Sequence, residues 1–371
     1  MTPEEFRANF PALETWTWLD TPGAPPGATP VVTTLRQALD DWSSGSFDWL
    51  DWDHAVDAAR SDFARYTGVG PDTIAAQTSL AEASTVAVRS TAPGTTIVVA
   101  EDEFRSVLFP AHHYHDATGT DLCVVARQPG RSRTAAIIDA IRPTTGLVMV
   151  SEVLTNDGEL VDIEAICHAA HQHDALVYAN LTQSLGVLRS NLARHPADII
   201  AAHGYKWMLC PRGTTWLVAD PARAELLPTV ASWKTARDAE HYFGGPYTES
   251  ATMTRCNSSP AWISWIGARA ALSLLSQISE DESRRHTLRL ASDYTRRMRE
   301  KGFRPLNNGA PSHIVVTAPP EYRRIDPAAL RKAKVRATLT ESGALRVGFH
   351  YFNTDTDVDH VIEAVASALV P

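Results

Sequence analysis

The sequence contains few cysteines, no surplus of basic residues and no long apolar run. Its four cysteines are far apart and form no C-x-x-C pair, which argues against a zinc ribbon or a redox motif. The formal net charge of −9 argues against nucleic acid or an anionic membrane as the main partner, because both attract basic surfaces. No apolar run is long enough to span a membrane, and the N-terminus lacks the apolar stretch of a secretory signal. We therefore expect a cytoplasmic protein with reduced thiols, namely Cys123, Cys167, Cys210 and Cys256.

The composition is that of an ordinary globular protein. The 371 residues are 44% hydrophobic and 21% charged, and this length is sufficient for one large domain and a smaller one. In the middle of the chain, short apolar runs rich in Val and Ile alternate with segments of helical spacing. Runs that are apolar on both faces are typical of strands in a covered parallel sheet, so the pattern predicts an α/β fold. The predicted strands are Thr96–Ala100, Leu122–Ala126, Leu147–Ser151, Ala175–Ala179, Asp198–Ala202 and Thr215–Val218.

The pattern changes after residue 260. One long helical stretch is predicted over Trp262–Lys301, followed by a turn-rich segment, two short strands and a final helix. This order predicts a smaller α+β domain. We expect a large domain over residues 16–260 and a small domain over residues 261–371 that also includes residues 1–15. The predicted elements after the long helix are the strands His313–Thr317 and Leu345–Phe349 and the helix Asp357–Leu369.

A lysine follows one of the predicted buried strands. Lys206 lies in the segment H-G-Y-K-W (203–207), directly after the strand Asp198–Ala202 and therefore at the sheet edge where α/β proteins bind ligands. A lone lysine in a loop is usually only a solvated charge. Here a second polar motif, T-Q-S-L-G (182–186), follows the preceding strand, so the two motifs are expected to meet at one edge.

These two motifs, in this order, resemble those of the class V aminotransferase family, which includes cysteine desulfurases, kynureninases and isopenicillin N epimerase-like enzymes. The resemblance extends over nearly the whole chain. It implies fold type I of the enzymes that use pyridoxal 5′-phosphate (PLP), with a mostly parallel seven-stranded sheet in the large domain and a smaller α+β C-terminal domain. It also implies PLP as the cofactor, bound as a Schiff base to Lys206, and a homodimer with sites shared between subunits.

The resemblance assigns cofactor-binding residues along the chain. The segment T-S-L-A-E-A (78–83) matches a phosphate-binding turn, where hydroxyl groups and a helix N-terminus suit a dianion. Phe104 matches the aromatic residue or histidine that stacks on the pyridine ring, and Gln183 matches the residue that binds the ring hydroxyl. Taken alone, Ser79 is more often an N-cap and Phe104 more often a core residue. The expected cofactor-binding residues are Ser79, Leu80, Ala81, Phe104, Thr155, Asn180, Gln183, His203, Tyr205, Lys206 and Ser259.

Further matches concern the phosphate and the substrate. His203 and Tyr205 match positions that help to bind the phosphate, and Ser259 falls where the family reaches the phosphate of the partner subunit. Arg346 matches the family's arginine strand and is expected to bind the substrate carboxylate, a task that suits the planar guanidinium group. As a lone arginine it would more often form a surface ion pair. The implied substrate is a small molecule, an α-amino acid or a conjugate of one.

Three positions depart from the family's pattern. Asn180 stands where the family has an aspartate that keeps the pyridine nitrogen protonated, and an uncharged amide does this far less well. The enzyme then either runs a step that tolerates a weaker electron sink or uses another acid at the ring. Between Ala328 and Arg346 there is no counterpart of the nucleophilic cysteine of cysteine desulfurases, which argues against persulfide chemistry. Thr155, or Asn156 beside it, stands where the family often has an asparagine.

Several reactions are compatible with these residues. The first choice is β-elimination, the cleavage of a C–S or related β-bond in a cysteine-type conjugate, within a specialised pathway such as antibiotic biosynthesis. The alternatives are decarboxylation coupled to oxidative deamination of such a conjugate, transamination and epimerisation. A degenerate PLP-binding scaffold is a further alternative, but Lys206, Gln183, His203 and Arg346 together favour catalysis. No metal site is expected, because the histidine clusters at 112–115 and 168–173 lack the spacing and acidic partners of known motifs.

Overall fold

A seven-stranded sheet forms the centre of the protein in the computed structural model, which describes residues 1–371. Its strands are β1 Ile74–Gln77, β2 Thr96–Ala100, β3 Asp121–Val125, β4 Thr145–Ser151, β5 Leu176–Asn180, β6 Ile199–His203 and β7 Thr215–Ala219. Across the sheet they follow the order β1-β7-β6-β5-β4-β2-β3. Only β7 runs antiparallel to its neighbours, and all other neighbouring pairs are parallel. The predicted α/β class and mostly parallel sheet are confirmed.

The side chains of these strands alternate between two cores, one on each face of the sheet. In β6, Ile200 and Ala202 pack into one core, while Ile199 and Ala201 pack into the other. All four are buried. Because helices cover both faces of most strands, polar residues are largely confined to the strand ends, and the apolar interiors are the pattern from which the strands were predicted.

Eleven α-helices surround the sheets. None of them is both long enough and apolar enough to cross a membrane. Helices that follow a strand begin near the sheet edge; for example, Ser79 caps a helix by accepting a hydrogen bond from the Glu82 backbone nitrogen at 3.2 Å. The helices are α1 Pro3–Arg7, α2 Thr29–Ser44, α3 Trp49–Thr67, α4 Leu80–Arg89, α5 Arg105–Thr118, α6 Arg133–Ile138, α7 Ile163–His171, α8 Trp262–Leu275, α9 Glu280–Glu300, α10 Pro327–Lys332 and α11 Asp355–Ala368.

The C-terminal part of the chain has a core of its own. It lies between α9, α11 and a four-stranded antiparallel sheet, and it includes Leu290, Tyr294, Val347 and Val361. The sheet order is β8-β9-β11-β10 for the strands β8 Arg304–Pro305, β9 Ile314–Ala318, β10 Thr338–Leu339 and β11 Leu345–Gly348. Three pairs of two-residue strands complete the ladders, joining Thr17–Trp18 to Val335–Arg336, Glu159–Leu160 to Ala310–Pro311, and Arg324–Ile325 to Leu369–Val370.

The prediction of one long helix over Trp262–Lys301 is wrong. The segment consists of two helices, because α8 ends at Leu275 and α9 begins at Glu280. Ser279 has an extended backbone, and three acidic residues follow it in the first turn of α9, where negative charge stabilises a helix N-terminus. The helical spacing of apolar residues continues across the break, so periodicity alone did not reveal it.

The two helices belong to different cores. Trp265, Ala268 and Leu272 of α8 pack in the core of the large sheet, whereas Leu290 and Tyr294 of α9 pack in the C-terminal core. The division between residues 260 and 261 remains a prediction, and α8, which follows it, packs with the large sheet.

A small apolar cluster joins the two cores. Val187 and Trp207 come from the large sheet's side, and Ile314 and Val316 of β9 come from the C-terminal side. The indole of Trp207 also packs edge-on against the His313 ring, with centroids 4.2 Å apart. We call this set the joining cluster. The joining cluster fixes the position of Trp207, the residue that directly follows Lys206.

Candidate active site

Three neighbouring strands end at one cavity. Ser151, Asn180 and His203 are the last residues of β4, β5 and β6, and all three line the cavity wall. Parallel strands carry their carboxyl ends to the same sheet edge, so the cavity lies where the sequence predicts a ligand. The predicted site residues that line it are Ser79, Leu80, Phe104, Thr155, Asn180, Gln183, His203, Tyr205 and Lys206.

Lys206 follows β6 and is 8% exposed. Its Nζ lies 5.7 Å from the centroid of the Phe104 ring and 5.6 Å from the centroid of the Tyr205 ring. Burial, together with the positive charges of Arg346 and Arg212, lowers the pKa of Lys206 to about 7. A large fraction of the lysine is therefore the free amine at neutral pH, and the free amine is the form that attacks a carbonyl group.

Gln183 is held in one orientation by three hydrogen bonds. Its Nε2 donates to Thr155 Oγ1 at 2.6 Å and to the Pro22 carbonyl at 3.2 Å. Its Oε1 accepts a hydrogen bond from Trp207 Nε1 at 2.7 Å. Because an indole N–H only donates, the amide oxygen must face Trp207. Thr155 and Gln183 thus lie side by side in the cavity wall, as the resemblance implied.

Asn180 is linked to a buried carboxylate. Its Nδ2 donates to Ser151 Oγ at 2.7 Å, and Ser151 Oγ donates to Glu103 Oε1 at 2.5 Å. On its other side, Asn180 Oδ1 accepts a hydrogen bond from the Thr182 backbone nitrogen at 3.0 Å. Glu103 is 4% exposed, and burial raises its pKa above the usual glutamate value. No sequence pattern had singled out Glu103.

The cavity wall also contains the N-terminus of helix α4 and the side chain of His203, which has a nitrogen without a hydrogen-bond partner. Ser79 and Leu80 stand at the start of α4, where the first backbone N–H groups have no partner within the helix. Ala81 lies in the same turn but outside the wall. Nε2 of His203 is buried without a hydrogen-bond partner, and burial lowers its pKa to about 4, which makes the ring neutral. An orphaned polar atom in the wall, together with these N–H groups, fits a ligand that bears a phosphate.

Besides Ala81, two predicted residues lie outside the cavity wall. Arg346, on β11, binds Asp20 Oδ1 and Thr338 Oγ1 through its Nη2, each at 3.2 Å. Its Nε is buried without a partner, and its charge is close enough to lower the pKa of Lys206. Ser259 is exposed and makes no contact with the cavity.

The structure adds residues that the sequence did not predict. Ser151 could have been found, because it ends a predicted strand at the same edge as His203. Arg212 could not, since it occupies a loop beyond the strand ends; its guanidinium carbon lies 5.1 Å from the centroid of the Tyr205 ring. The additional wall residues with polar side chains are Ser106, Ser151, Thr182 and Arg212.

No thiol lines the cavity. Cys210, the cysteine nearest to Lys206 in the sequence, is buried and donates a weak hydrogen bond to the Met208 carbonyl at 3.4 Å. Burial raises the pKa of Cys210 to about 12, so its reactive thiolate form is scarce. The cavity therefore offers an amine of low pKa as a reactive group, and no thiolate.

Comparisons with known proteins agree with this geometry. The model of the family described as aminotransferase class-V matches residues 30–322. The chain belongs to this family and is a PLP-dependent enzyme. Its relatives include an uncharacterized aminotransferase, YcbU, of Bacillus subtilis, with 27% identity over 99% of this chain and 98% of that protein. The isopenicillin N epimerase of Amycolatopsis lactamdurans is 26% identical over 83% of each chain.

Solved structures share the fold. The cysteine desulfurase CsdA of Escherichia coli superposes with a TM-score of 0.82 and 19% identity, covering 99% of this chain and 98% of that chain. The cystine C–S lyase C-DES, in complex with cysteine persulfide, superposes with a TM-score of 0.84 and 18% identity, covering 97% of this chain and 99% of that chain. The predicted PLP fold type I is confirmed.

Proposed function

We propose that the protein is a C–S lyase that acts by β-elimination on a cysteine-type conjugate. The observation that carries this proposal is a cavity with one amine of low pKa, Lys206, and no thiol. The balanced reaction converts an S-substituted cysteine and water into a thiol, pyruvate and ammonia. It requires removal of the proton on Cα and loss of the sulfur substituent from Cβ, and it needs no nucleophilic cysteine.

Lys206 has two tasks in this proposal. It holds the cofactor through its amine, and once the substrate amine replaces it, the freed amine takes the proton from Cα. When bound, PLP supplies the electron sink for the negative charge that this proton leaves behind. A pKa near 7 suits a base that must accept a proton and release it at neutral pH.

The remaining wall residues are assigned to the cofactor. Ser79, Leu80 and Ala81 would hold the phosphate at the N-terminus of α4, with His203 and Tyr205 beside them. The half-exposed ring of Phe104 would stack on the pyridine ring, which would cover its apolar face. Thr155 and Gln183 would bind the ring hydroxyl, Asn180 would face the ring nitrogen, and Ser259 would reach the site of a second copy in a homodimer.

Arg346 would bind the substrate carboxylate. Its buried Nε–H has no acceptor within the protein, and a carboxylate oxygen would supply one. An α-amino acid bound in this way would direct its amino group toward Lys206, whose pKa already responds to the charge of Arg346.

The rival reactions need groups that the cavity provides less well. A desulfurase needs a thiolate, and an epimerase that works with two acid–base groups needs a second proton donor opposite Lys206. His203, with a pKa of about 4, is uncharged at neutral pH, and the pKa of Tyr205 is raised by burial, so neither is a ready donor. A cytoplasmic location and a role in a specialised pathway belong to the same proposal.

Product analysis tests the proposed reaction. The purified holoenzyme is incubated with a panel of S-substituted cysteines, with and without oxygen, and the products are measured by mass spectrometry. We expect equimolar thiol and pyruvate independent of oxygen, and no product from Lys206→Ala. Oxygen-dependent release of carbon dioxide would instead identify decarboxylation coupled to oxidative deamination. A visible absorption band that no amino acid alters would identify a PLP-binding scaffold.

A further inference from the structure

The hydrogen bonds from Glu103 to Asn180 have a fixed direction. The Glu103 carboxyl group accepts hydrogen bonds from the backbone N–H groups of Phe104 at 2.7 Å and Ser151 at 2.8 Å. It also receives the Ser151 hydroxyl proton at 2.5 Å, so that hydroxyl has no proton left to donate elsewhere. The atom of Asn180 that lies 2.7 Å from Ser151 Oγ must therefore be the amide nitrogen.

Thr182 imposes the same orientation from the other side. Its backbone N–H lies 3.0 Å from the Asn180 side chain and can only donate, so the atom that it meets must be the amide oxygen. A flipped amide would place two donors against each other at Thr182 and two acceptors against each other at Ser151. The contact with Thr182 thus identifies the oxygen and nitrogen of the Asn180 amide without relying on an assignment of their positions.

The fixed orientation leaves a donor for the cavity. Nδ2 of Asn180 carries two hydrogens and makes one hydrogen bond within the protein, so its second N–H remains for a ligand in the cavity that Asn180 lines. A donor bonds to a nitrogen lone pair and cannot bond to a nitrogen that already carries a proton.

We propose that Glu103, acting through Ser151, is a positioning residue that fixes Asn180 as a hydrogen-bond donor to the cofactor's ring nitrogen, which thereby stays unprotonated. The inference rests on the proposed function, in which Asn180 faces that nitrogen. It also explains why an amide stands at this position. An aspartate at position 180 would place a carboxylate oxygen against a hydroxyl oxygen whose proton is already donated to Glu103, and such a buried contact between two acceptors is costly.

Nitrogen NMR of the holoenzyme tests this proposal without any substrate. The protein is reconstituted with PLP labelled with nitrogen-15 in the ring, and the parent signal is expected in the range of an unprotonated, hydrogen-bonded pyridine. Ser151→Ala and Glu103→Gln should move it downfield, toward a pyridine without a donor, because Asn180 then keeps only its contact with Thr182 and its amide plane is free to tilt away from the ring. Ser84→Ala is the matched control: it removes another buried hydroxyl, which bonds Tyr178 Oη at 2.8 Å, and should leave the signal unchanged.

Each result decides the question. A parent signal in the range of a protonated pyridine overturns the proposal, as does a signal that Ser151→Ala moves no more than Ser84→Ala. If Glu103→Gln does not fold, Ser151→Ala carries the test, because it leaves Glu103 both of its backbone donors. A parent that binds no PLP overturns the proposed function as well. A parent that binds PLP but catalyses another reaction overturns only the lyase, since the NMR signal is read without substrate.

Discussion

Asp20 holds the guanidinium group of Arg346 in place before any substrate arrives. The carboxylate oxygen Oδ1 lies 3.2 Å from Arg346 Nη2 and also accepts the Thr338 hydroxyl at 2.6 Å. The unpartnered Nε of Arg346 remains for a carboxylate. An arginine fixed in this way loses less side-chain entropy on binding than a free one, which favours recognition of an amino acid.

Arg346→Ala should remove most of the catalytic efficiency. Loss of a charged partner to a buried carboxylate costs about 2–5 kcal/mol of transition-state binding. The visible spectrum of the bound cofactor should stay normal, because Arg346 does not line the cofactor cavity. Arg346→Lys keeps the positive charge but loses the guanidinium group that can form two parallel hydrogen bonds with a carboxylate. It should therefore retain more activity than Arg346→Ala. Steady-state kinetics of the two variants check this, and an unchanged kcat/KM in Arg346→Ala would refute the assignment.

Asp20→Asn should shift the pH at which the protein takes up its cofactor. The Asp20 carboxylate raises the pKa of Lys206, while burial and Arg346 lower it, to a net value of about 7. Removal of the negative charge lowers the pKa of Lys206 further, so the free amine persists at more acidic pH. The rate of PLP uptake by the apoprotein, followed by its visible band, should have its midpoint near pH 7 in the parent and lower in Asp20→Asn. The same midpoint in both proteins would contradict the charge argument.

Lys206→Ala should lack the visible band of the covalently bound cofactor. The amine of Lys206 is the group in the cavity that can form this bond. Borohydride reduction of the parent, followed by peptide mapping, should find the cofactor on the peptide that contains Lys206. Lys234, which is also buried but paired with Asp53 at 2.6 Å, is the matched control, and Lys234→Met should keep the band. Attachment to any other lysine would show that Lys206 is the wrong residue.

Asn180→Asp should change the electronic state of the cofactor. A carboxylate near the ring nitrogen raises the pKa of that nitrogen far more than an amide does. We expect an altered absorption spectrum with substrate and a changed ratio of products. Asn156→Asp adds the same charge outside the cavity wall and should leave both unchanged. If the spectra of Asn180→Asp and of the parent were identical, Asn180 would be only a hydrogen-bonding residue at a strand end.

Much of the fold could be predicted because buried parallel strands have a distinctive composition. The six predicted strands correspond to β2 through β7. The strand β1 had no predicted range: it contains only Ile74, two alanines and Gln77, with little of the branched apolar character that marks a strand. The break between α8 and α9 was missed because the helical spacing continues across it.

The cavity could be predicted where its residues end strands. Asn180 and His203 end β5 and β6, and Lys206 follows β6 closely, so all three lie at the common edge where parallel strands end. Glu103 follows β2 as closely as Lys206 follows β6, but its contact with Ser151, 48 residues away in the sequence, is visible only in the folded structure. Asp20 could not be found from strand ends, because it acts on a residue from a distant part of the chain. Asp20 lies 326 residues from Arg346 in the sequence, and only the folded structure brings them together.

The joining cluster has a consequence for substrate selection. Lys206 stands beside Trp207 on the large sheet's side, whereas Arg346 is carried by β11 in the C-terminal core. The separation of the Lys206 amine and the Arg346 guanidinium therefore depends on how the two cores pack together, and Trp207 contributes to that packing through its contacts with His313, Ile314 and Val316. A substrate that contacts both Lys206 and Arg346 must match the separation of these two groups. Substitutions in the joining cluster would change the separation of the amine and the guanidinium group, and therefore the length of substrate that fits, without altering any residue that contacts the substrate.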